Sequence, residues 1–240
     1  MSTIPLAGPR LALSVLLAVG LAACNDGPGD VPAAATAAVD STVSDAPLDF
    51  AGTALAVQPS DSTVTWIGAK LTGNHVGGFR GVTGSVYIDG DAVTGADVRI
   101  DATTIYSDDD RLTGHLQSPD FFEVERFPDA RFQTNELRPV TAADSLGEGS
   151  TATHLVTGRL TMRGVTNEVT FPATVAVEGG RATVQAAFLI DRTDWGIVYP
   201  GMQDDLINER VRIQLDVTAG GDVPASAPAP AGAQADSVGV

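Results

Sequence analysis

The chain has 240 residues, a single cysteine, and a formal net charge of -16 from 30 acidic against 14 basic side chains. A surface this negative repels phosphate backbones, which excludes nucleic acid as a partner, and one cysteine excludes any intramolecular disulfide. An apolar core must therefore hold the fold together.

Residues 11–21 are almost wholly apolar, follow the lone Arg10, and end in Leu21-Ala22-Ala23-Cys24. The stretch is too short for a comfortable bilayer span, so residues 1–23 read as a secretory leader. Its ending looks like the signal of a bacterial lipoprotein, with the only thiol of the chain placed to accept a diacylglyceryl group. Cys24 is thus expected to be acylated and to become the mature N-terminus. Two or three acyl chains on one residue anchor a protein stably, whereas a single chain binds marginally at ~0.8 kcal/mol per buried methylene. Loss of the leader removes Arg10 and leaves the chain one charge more negative. Asn25, rather than Asp, follows the cysteine, which favours the outer over the inner membrane, although Asp26 lies one residue on. The expected location is the cell envelope, facing the periplasm or the cell surface.

Residues 24–52 are dominated by Ala, Asp, Gly, Pro, Ser and Thr and read as a disordered linker spanning roughly 30 Å. Residues 219–240 have a similar composition and read as a tail. Between them, residues 53–218 have the length of one domain.

Within that domain apolar and polar residues alternate. Val64 and Trp66 alternate with threonines, and Ala96, Val98, Ile100 and Ala102 with Asp97, Arg99, Asp101 and Thr103. The same period returns at Val156–Met162, at Val169, Phe171, Ala173, Val175 and Val177, at residues 182–190, and at Val211, Ile213, Leu215 and Val217. Asp89-Gly90-Asp91 and Glu178-Gly179-Gly180 supply hairpin turns. The expectation is an all-β domain of about eight strands, the number that closes a small barrel with room for one ligand.

One region, residues 107–122, breaks this rhythm. Ser107 can cap a helix whose first turn carries Asp108, Asp109 and Asp110, where negative charge is favourable, and Leu112 and Leu116 then share a face. Ser118-Pro119 can start a second short turn. Between Gly114 and Phe132 lie Phe121, Phe122, Phe127 and Phe132, four of the eight phenylalanines, interspersed with charges.

That segment resembles the YceI family of lipid-binding proteins in its His115-Leu116 pair, Ser118-Pro119-Asp120 turn, Phe121-Phe122 pair, Phe127-Pro128 and Phe132. The resemblance extends to Trp66, Lys70, His75 and Gly77, to Gly158-Arg159-Leu160-Thr161-Met162-Arg163-Gly164-Val165-Thr166, and to Asp191-Arg192-Thr193-Asp194-Trp195-Gly196. It departs at Thr113-Gly114, where many members carry Arg-Asp, so no role passes to that pair. The resemblance implies an antiparallel, lipocalin-like β-barrel with a helical insertion, binding a polyisoprenoid or an isoprenoid quinone.

On this reading the ligand-lining candidates are Trp66, Phe79, Leu112, Leu116, Phe121, Phe122, Phe132, Leu160, Phe171, Phe188, Ile190, Arg192 and Trp195. Phe121 and Phe122 can line a cavity or plug the barrel end beneath a helical lid, and the plug is preferred. Arg192 can tie the barrel end together or meet a polar head, and the tie is preferred. His75, His115 and His154 lie 40 and 39 residues apart without a ligand motif, so no metal site is expected. Asp108, Asp109 and Asp110 lack the alternation of a calcium loop. The sequence contains no Gly-x-Ser-x-Gly elbow, Ser-x-x-Lys pair or phosphate loop, and no catalytic residue or cofactor is assigned.

The expected function is a membrane-anchored envelope protein that sequesters or carries a long isoprenoid or similar amphiphile. Such a ligand leaves room for a homodimer in which two barrels share it. Two alternatives stay open: a structural or stress-protective protein whose barrel is filled by its own side chains, and an enzyme acting on bound lipid through His75, His115 and Arg192.

Overall fold

The computed structural model describes residues 29–39, 48–144, 146 and 149–221. The leader, Cys24 and residues 222–240 lie outside these described residues, as does part of the linker.

Thirteen strands among the described residues join one antiparallel sheet. They are β1 (Ala35–Ala38), β2 (Thr53–Ala56), β3 (Thr63–Lys70), β4 (Gly73–Phe79), β5 (Val82–Asp89), β6 (Ala92–Asp101), β7 (Ile105–Ser107), β8 (Asp129–Pro139), β9 (His154–Met162), β10 (Val165–Glu178), β11 (Arg181–Asp191), β12 (Gly201–Met202) and β13 (Asp205–Gly220). Eight of them follow the order β2-β5-β6-β8-β9-β10-β11-β13, and the curl shuts where Val57 bridges Ala219. There Val57 N–H donates to Gly84 O, and Gln58 N–H to Thr218 O. The expected antiparallel barrel is present, with thirteen strands in its sheet rather than about eight. The remaining count comes from β3, β4 and β7, which continue the wall beside β13, and from the short β1 and β12.

The alternation in sequence becomes the inside and outside of this wall. Along β10, Asn167, Val169, Phe171, Ala173 and Val175 are buried in turn while their neighbours are partly exposed. Phe171 stacks on Phe188 at 4.2 Å between ring centres and meets Phe132 at 5.7 Å. Gly158 makes room for this cluster, because a Cβ there would fall 2.4 Å from the Phe132 ring and 2.6 Å from Gln133 O. Both expected hairpin turns form, with Gly90, Gly179 and Gly180 at positive φ. The sequence Ile-Asp-x-Thr ends both β6 and β11. In each case the Asp carboxylate accepts from the Thr backbone and hydroxyl, Asp101 from Thr103 and Asp191 from Thr193, at 2.9 and 2.6 Å.

Three details differ from the sequence reading. Helix α1 (Asp110–Gln117) is capped by Asp109, not Ser107: the Asp109 carboxylate accepts from Arg111 and Leu112 N–H at 2.8 and 3.0 Å. A carboxylate caps as well as a hydroxyl and also gains from the helix dipole, and these bonds hold the Asp109 carboxyl below its ordinary range. Strand β13 runs to Gly220, with Ala219 fully buried against Ala182, so the domain ends two residues later than expected.

The third difference lies in the supposed linker. β10 pairs with β11 only over residues 174–178, leaving a seam lower down. β1 fills it, pairing Ala35–Ala38 with Thr170–Asn167, while Ala34 N–H donates to Leu189 O and Leu189 N–H to Pro32 O. Small side chains hid this strand from any hydrophobic pattern. The open strand edges nevertheless need backbone partners, and the Ala-Thr run provides them.

Candidate functional site

β7 is the last strand on its side of the sheet, and α1 follows it directly. The helix and the turn after it form the lid of that end. Arg163 bolts the lid down from the β9–β10 turn: its guanidinium donates to Pro119 O at 2.7 Å and to Gly196 O, and it faces Glu123 at 3.7 Å. Both Arg163 and Glu123 hold positive φ, a strained backbone maintained by these contacts.

Under the lid lies a cavity of about 330 Å3. Trp66, Gly68, Ala69 and Lys70 of β3 line it, and Ile207, Val211 and Ile213 of β13 face it across a register shift. His75 and Phe79 of β4 and Ile190 of β11 add wall, while Leu112, His115, Leu116, Phe121 and Phe122 form the lid side. Ile197 and Tyr199 border it from the loop before β12, and Met202 from β12 itself. Phe122 meets Phe79 edge-on at 5.7 Å, and His115 meets Phe121 and Tyr199 edge-on at 4.9 and 4.8 Å.

The polar groups here are mostly engaged with other protein groups. Arg192 is buried and donates to the carbonyls of Ile197, Asn208 and Ile207; burial draws its guanidinium down, opposed by Glu209 and Asp191. Lys70 Nζ lies 2.7 Å from Asp205, whose carboxyl is held low by that bond and by those from Thr72. His75 Nδ1 lies 2.9 Å from Asp108, where burial pushes the carboxyl up but bonds from His75, Ser107 and Val76 outweigh it and keep it low. His115 Nε2 lies 2.9 Å from Asp120. Trp66 Nε1 is the exception, a buried donor without a hydrogen-bond partner.

Eight of the sequence candidates meet around this cavity: Trp66, Phe79, Leu112, Leu116, Phe121, Phe122, Ile190 and Arg192. The other five do not. Phe132, Phe171 and Phe188 form the aromatic cluster of the opposite half, Leu160 packs against the core, and Trp195 is fully buried with its Nε1–H donating to Leu160 O at 3.0 Å. Alternation identifies the inward face of a strand but not the depth along the barrel at which a side chain sits. Val211 and Ile213, which line the cavity, alternate as recognisably as those thirteen residues. Tyr199 and Met202 stand in a segment without periodicity. His154 starts β9 beside Thr153 and borders no part of the cavity, so the three imidazoles do not converge, and among the described residues no group of three or more His, Cys, Asp or Glu is placed to hold a metal. A largely apolar volume, open at one mouth and with paired charges around it, can hold hydrocarbon.

The YceI-like domain family matches residues 55–219. The UPF0312 protein of Pseudomonas putida strain GB-1 is 31% identical over 146 residues, 58% of this chain and 71% of that protein. Among solved structures, BcnA of Burkholderia cenocepacia superposes with a TM-score of 0.57 at 22% identity, over 68% of this chain and 99% of its own. A polyisoprenoid binding domain from Saccharophagus degradans, implicated in plant cell wall breakdown, superposes with a TM-score of 0.53 at 17% identity, over 68% of this chain and 96% of its own.

Proposed function

The chain belongs to the YceI-like domain family, and from that premise we propose that it binds the hydrocarbon chain of an isoprenoid or similar amphiphile in the cavity beneath α1. The observation that carries this reading is the cavity itself, whose walls are largely apolar, with their charges paired and one unpartnered donor at Trp66 Nε1. Hydrocarbon exposed to water costs about 0.8 kcal/mol per methylene, so an enclosed apolar space is what holds a lipid outside a bilayer. The volume of about 330 Å3 lies at the small end of the ~300–1,000 Å3 range of ligand sites. A long polyprenyl chain therefore seats one end inside and leaves the rest at the mouth. The same volume favours a carrier over a barrel filled throughout by its own side chains.

The protein acts as a binding protein rather than an enzyme. His75, His115 and Arg192 do border one cavity, but their polar atoms bond to Asp108, Asp120 and main-chain carbonyls. Acylation of Cys24 would tether the barrel to a membrane of the bacterial envelope. Mass spectrometry of lipid extracted from the natively purified protein tests the binding reading. An isoprenoid in the extract, and its rebinding after delipidation, is the expected result; an empty extract together with no polyprenyl binding overturns it. Intact mass of the mature N-terminus, with and without Cys24→Ser, tests the anchor.

A further inference from the structure

Among the described residues the four most exposed large apolar side chains are Leu71, Met202, Val198 and Leu206, at 73, 70, 67 and 49% of full exposure. All four lie around the mouth of the cavity. Met202 borders the cavity, and Leu71, Val198 and Leu206 each adjoin a lining residue in sequence. Leu71, Leu206 and Met202 are also held together. Leu71 N–H donates to Leu206 O at 3.2 Å, Thr72 donates to Asp205 through its N–H and its hydroxyl, and Lys70 bonds the same carboxylate at 2.7 Å. The β3–β4 turn and the β12–β13 hairpin thus form one firm edge.

The edge is unusual in its charge as well. In a chain of net charge -16, residues 71–74 and 198–203 contain no Asp, Glu, Lys or Arg, and Lys70 cancels Asp205. Asp204 leaves one negative charge at the tip. An apolar edge with a single net negative charge on an acidic protein is a contact surface, and its chemistry fits an uncharged or zwitterionic partner better than an anionic one.

We propose that this edge docks on a zwitterionic lipid surface, so that cargo passes between bilayer and cavity without crossing water. The proposal rests on the lipid-binding reading above. It commits to a bilayer because the edge adjoins the opening through which an apolar chain has to leave, and crossing water instead exposes that chain methylene by methylene. Leu71 and Leu206 border the opening without lining the cavity, so they can be changed without changing the cavity wall.

The test uses the whole chain with Cys24→Ser, so that no acyl group holds it to vesicles. A dansyl-labelled polyprenyl alcohol is presented once in phosphatidylcholine vesicles and once in detergent micelles, and loading is read by energy transfer from tryptophan. The double variant Leu71→Asp, Leu206→Asp is expected to load from vesicles at least about tenfold more slowly and from micelles to the same extent. Val198→Asp, in a separate segment, is expected to slow vesicle loading to a smaller degree. Equal vesicle rates for parent and double variant overturn docking, whether or not the variant's sedimentation reveals lost self-association, which would assign the edge to a second copy. Poor loading of the variant from micelles also overturns it, because the edge then acts as cavity wall. Failure of the parent to load from either source overturns the lipid-binding reading itself.

Discussion

The two halves of this barrel are built from the same alternating strands and end up physically opposite. Around Phe132, Phe171 and Phe188, on the successive strands β8, β10 and β11, the inward side chains pack on one another, and Gly158 of β9 gives up its side chain to admit a ring. Around Trp66, Phe79 and Phe122 the inward side chains line a space instead. The difference arises from what closes each end. At the hollow end the sheet stops at β7 and an eight-residue helix spans the gap, held by Arg163 rather than by a strand ladder, whereas around the aromatic cluster the neighbouring strands β8, β9, β10 and β11 pack their side chains directly on one another. Strand pairing makes a solid core, and a lid on a strap leaves room.

The comparison breaks most visibly on phenylalanine truncation. Phe171→Ala should destabilise the protein by about 4 kcal/mol in denaturant melts and leave a dry void in the filled half. Phe122→Ala, at a half-buried position against the cavity, should cost about 1–2 kcal/mol yet weaken retention of a bound polyprenyl probe. Equal losses would mean that the two halves do not differ as described. Next in size is Arg163→Ala, which should remove about 2 kcal/mol, less whatever strain at its positive φ is released. Its signature is loosening confined to the lid, seen as faster amide exchange over residues 110–123 and unchanged exchange around Phe171. Exchange accelerating equally in both halves would sink the strap.

Smaller effects sharpen the same contrast. Ala34→Pro deletes the N–H that donates to Leu189 O, costing about 1 kcal/mol and opening the seam beside β1. Faster exchange of the Leu189 amide, which donates to Pro32 O, should report it. The smallest effect concerns acid. Asp205 and Asp108 have lowered carboxyl values in the fold, so their stabilisation is present above an unfolded value near ~3.9 and fades as pH falls through the lowered folded values. Asp205→Asn should therefore flatten the loss of stability below about pH 4, with the mouth responding before the aromatic cluster. A slope identical to the parent's would show that the Lys70–Asp205 bond contributes nothing.

These outcomes also bear on how much the sequence could say. Val169, Phe171, Ala173 and Val175 were legible as a buried face because a strand alternates by geometry, whatever it packs against. Which of those residues would line a cavity was not legible, since depth along the barrel depends on register between strands far apart in the chain. Phe132 and Phe122 look equivalent as letters; one opposes Gly158 and the other opposes open space. Tyr199 and Met202 carried no signal at all, because neither a loop nor a two-residue strand is long enough to show a period. The Ala33–Ala38 run was silent for a different reason. Its contribution is made by main-chain groups, which every residue but proline offers alike.

That alanine strand bears on the proposed anchor. If the chain were free from Cys24 until β2 begins at Thr53, its contour could let the barrel wander up to ~100 Å from the point of attachment. With Pro32 already bonded to Leu189, eight residues remain, and their contour cannot exceed ~28 Å. An acylated Cys24 would then confine the mouth to a shell of the bilayer's surface little deeper than the barrel itself, shrinking the search volume for the lipid edge. Cutting β1 out of the seam would lengthen the leash and slow encounter while leaving the cavity untouched.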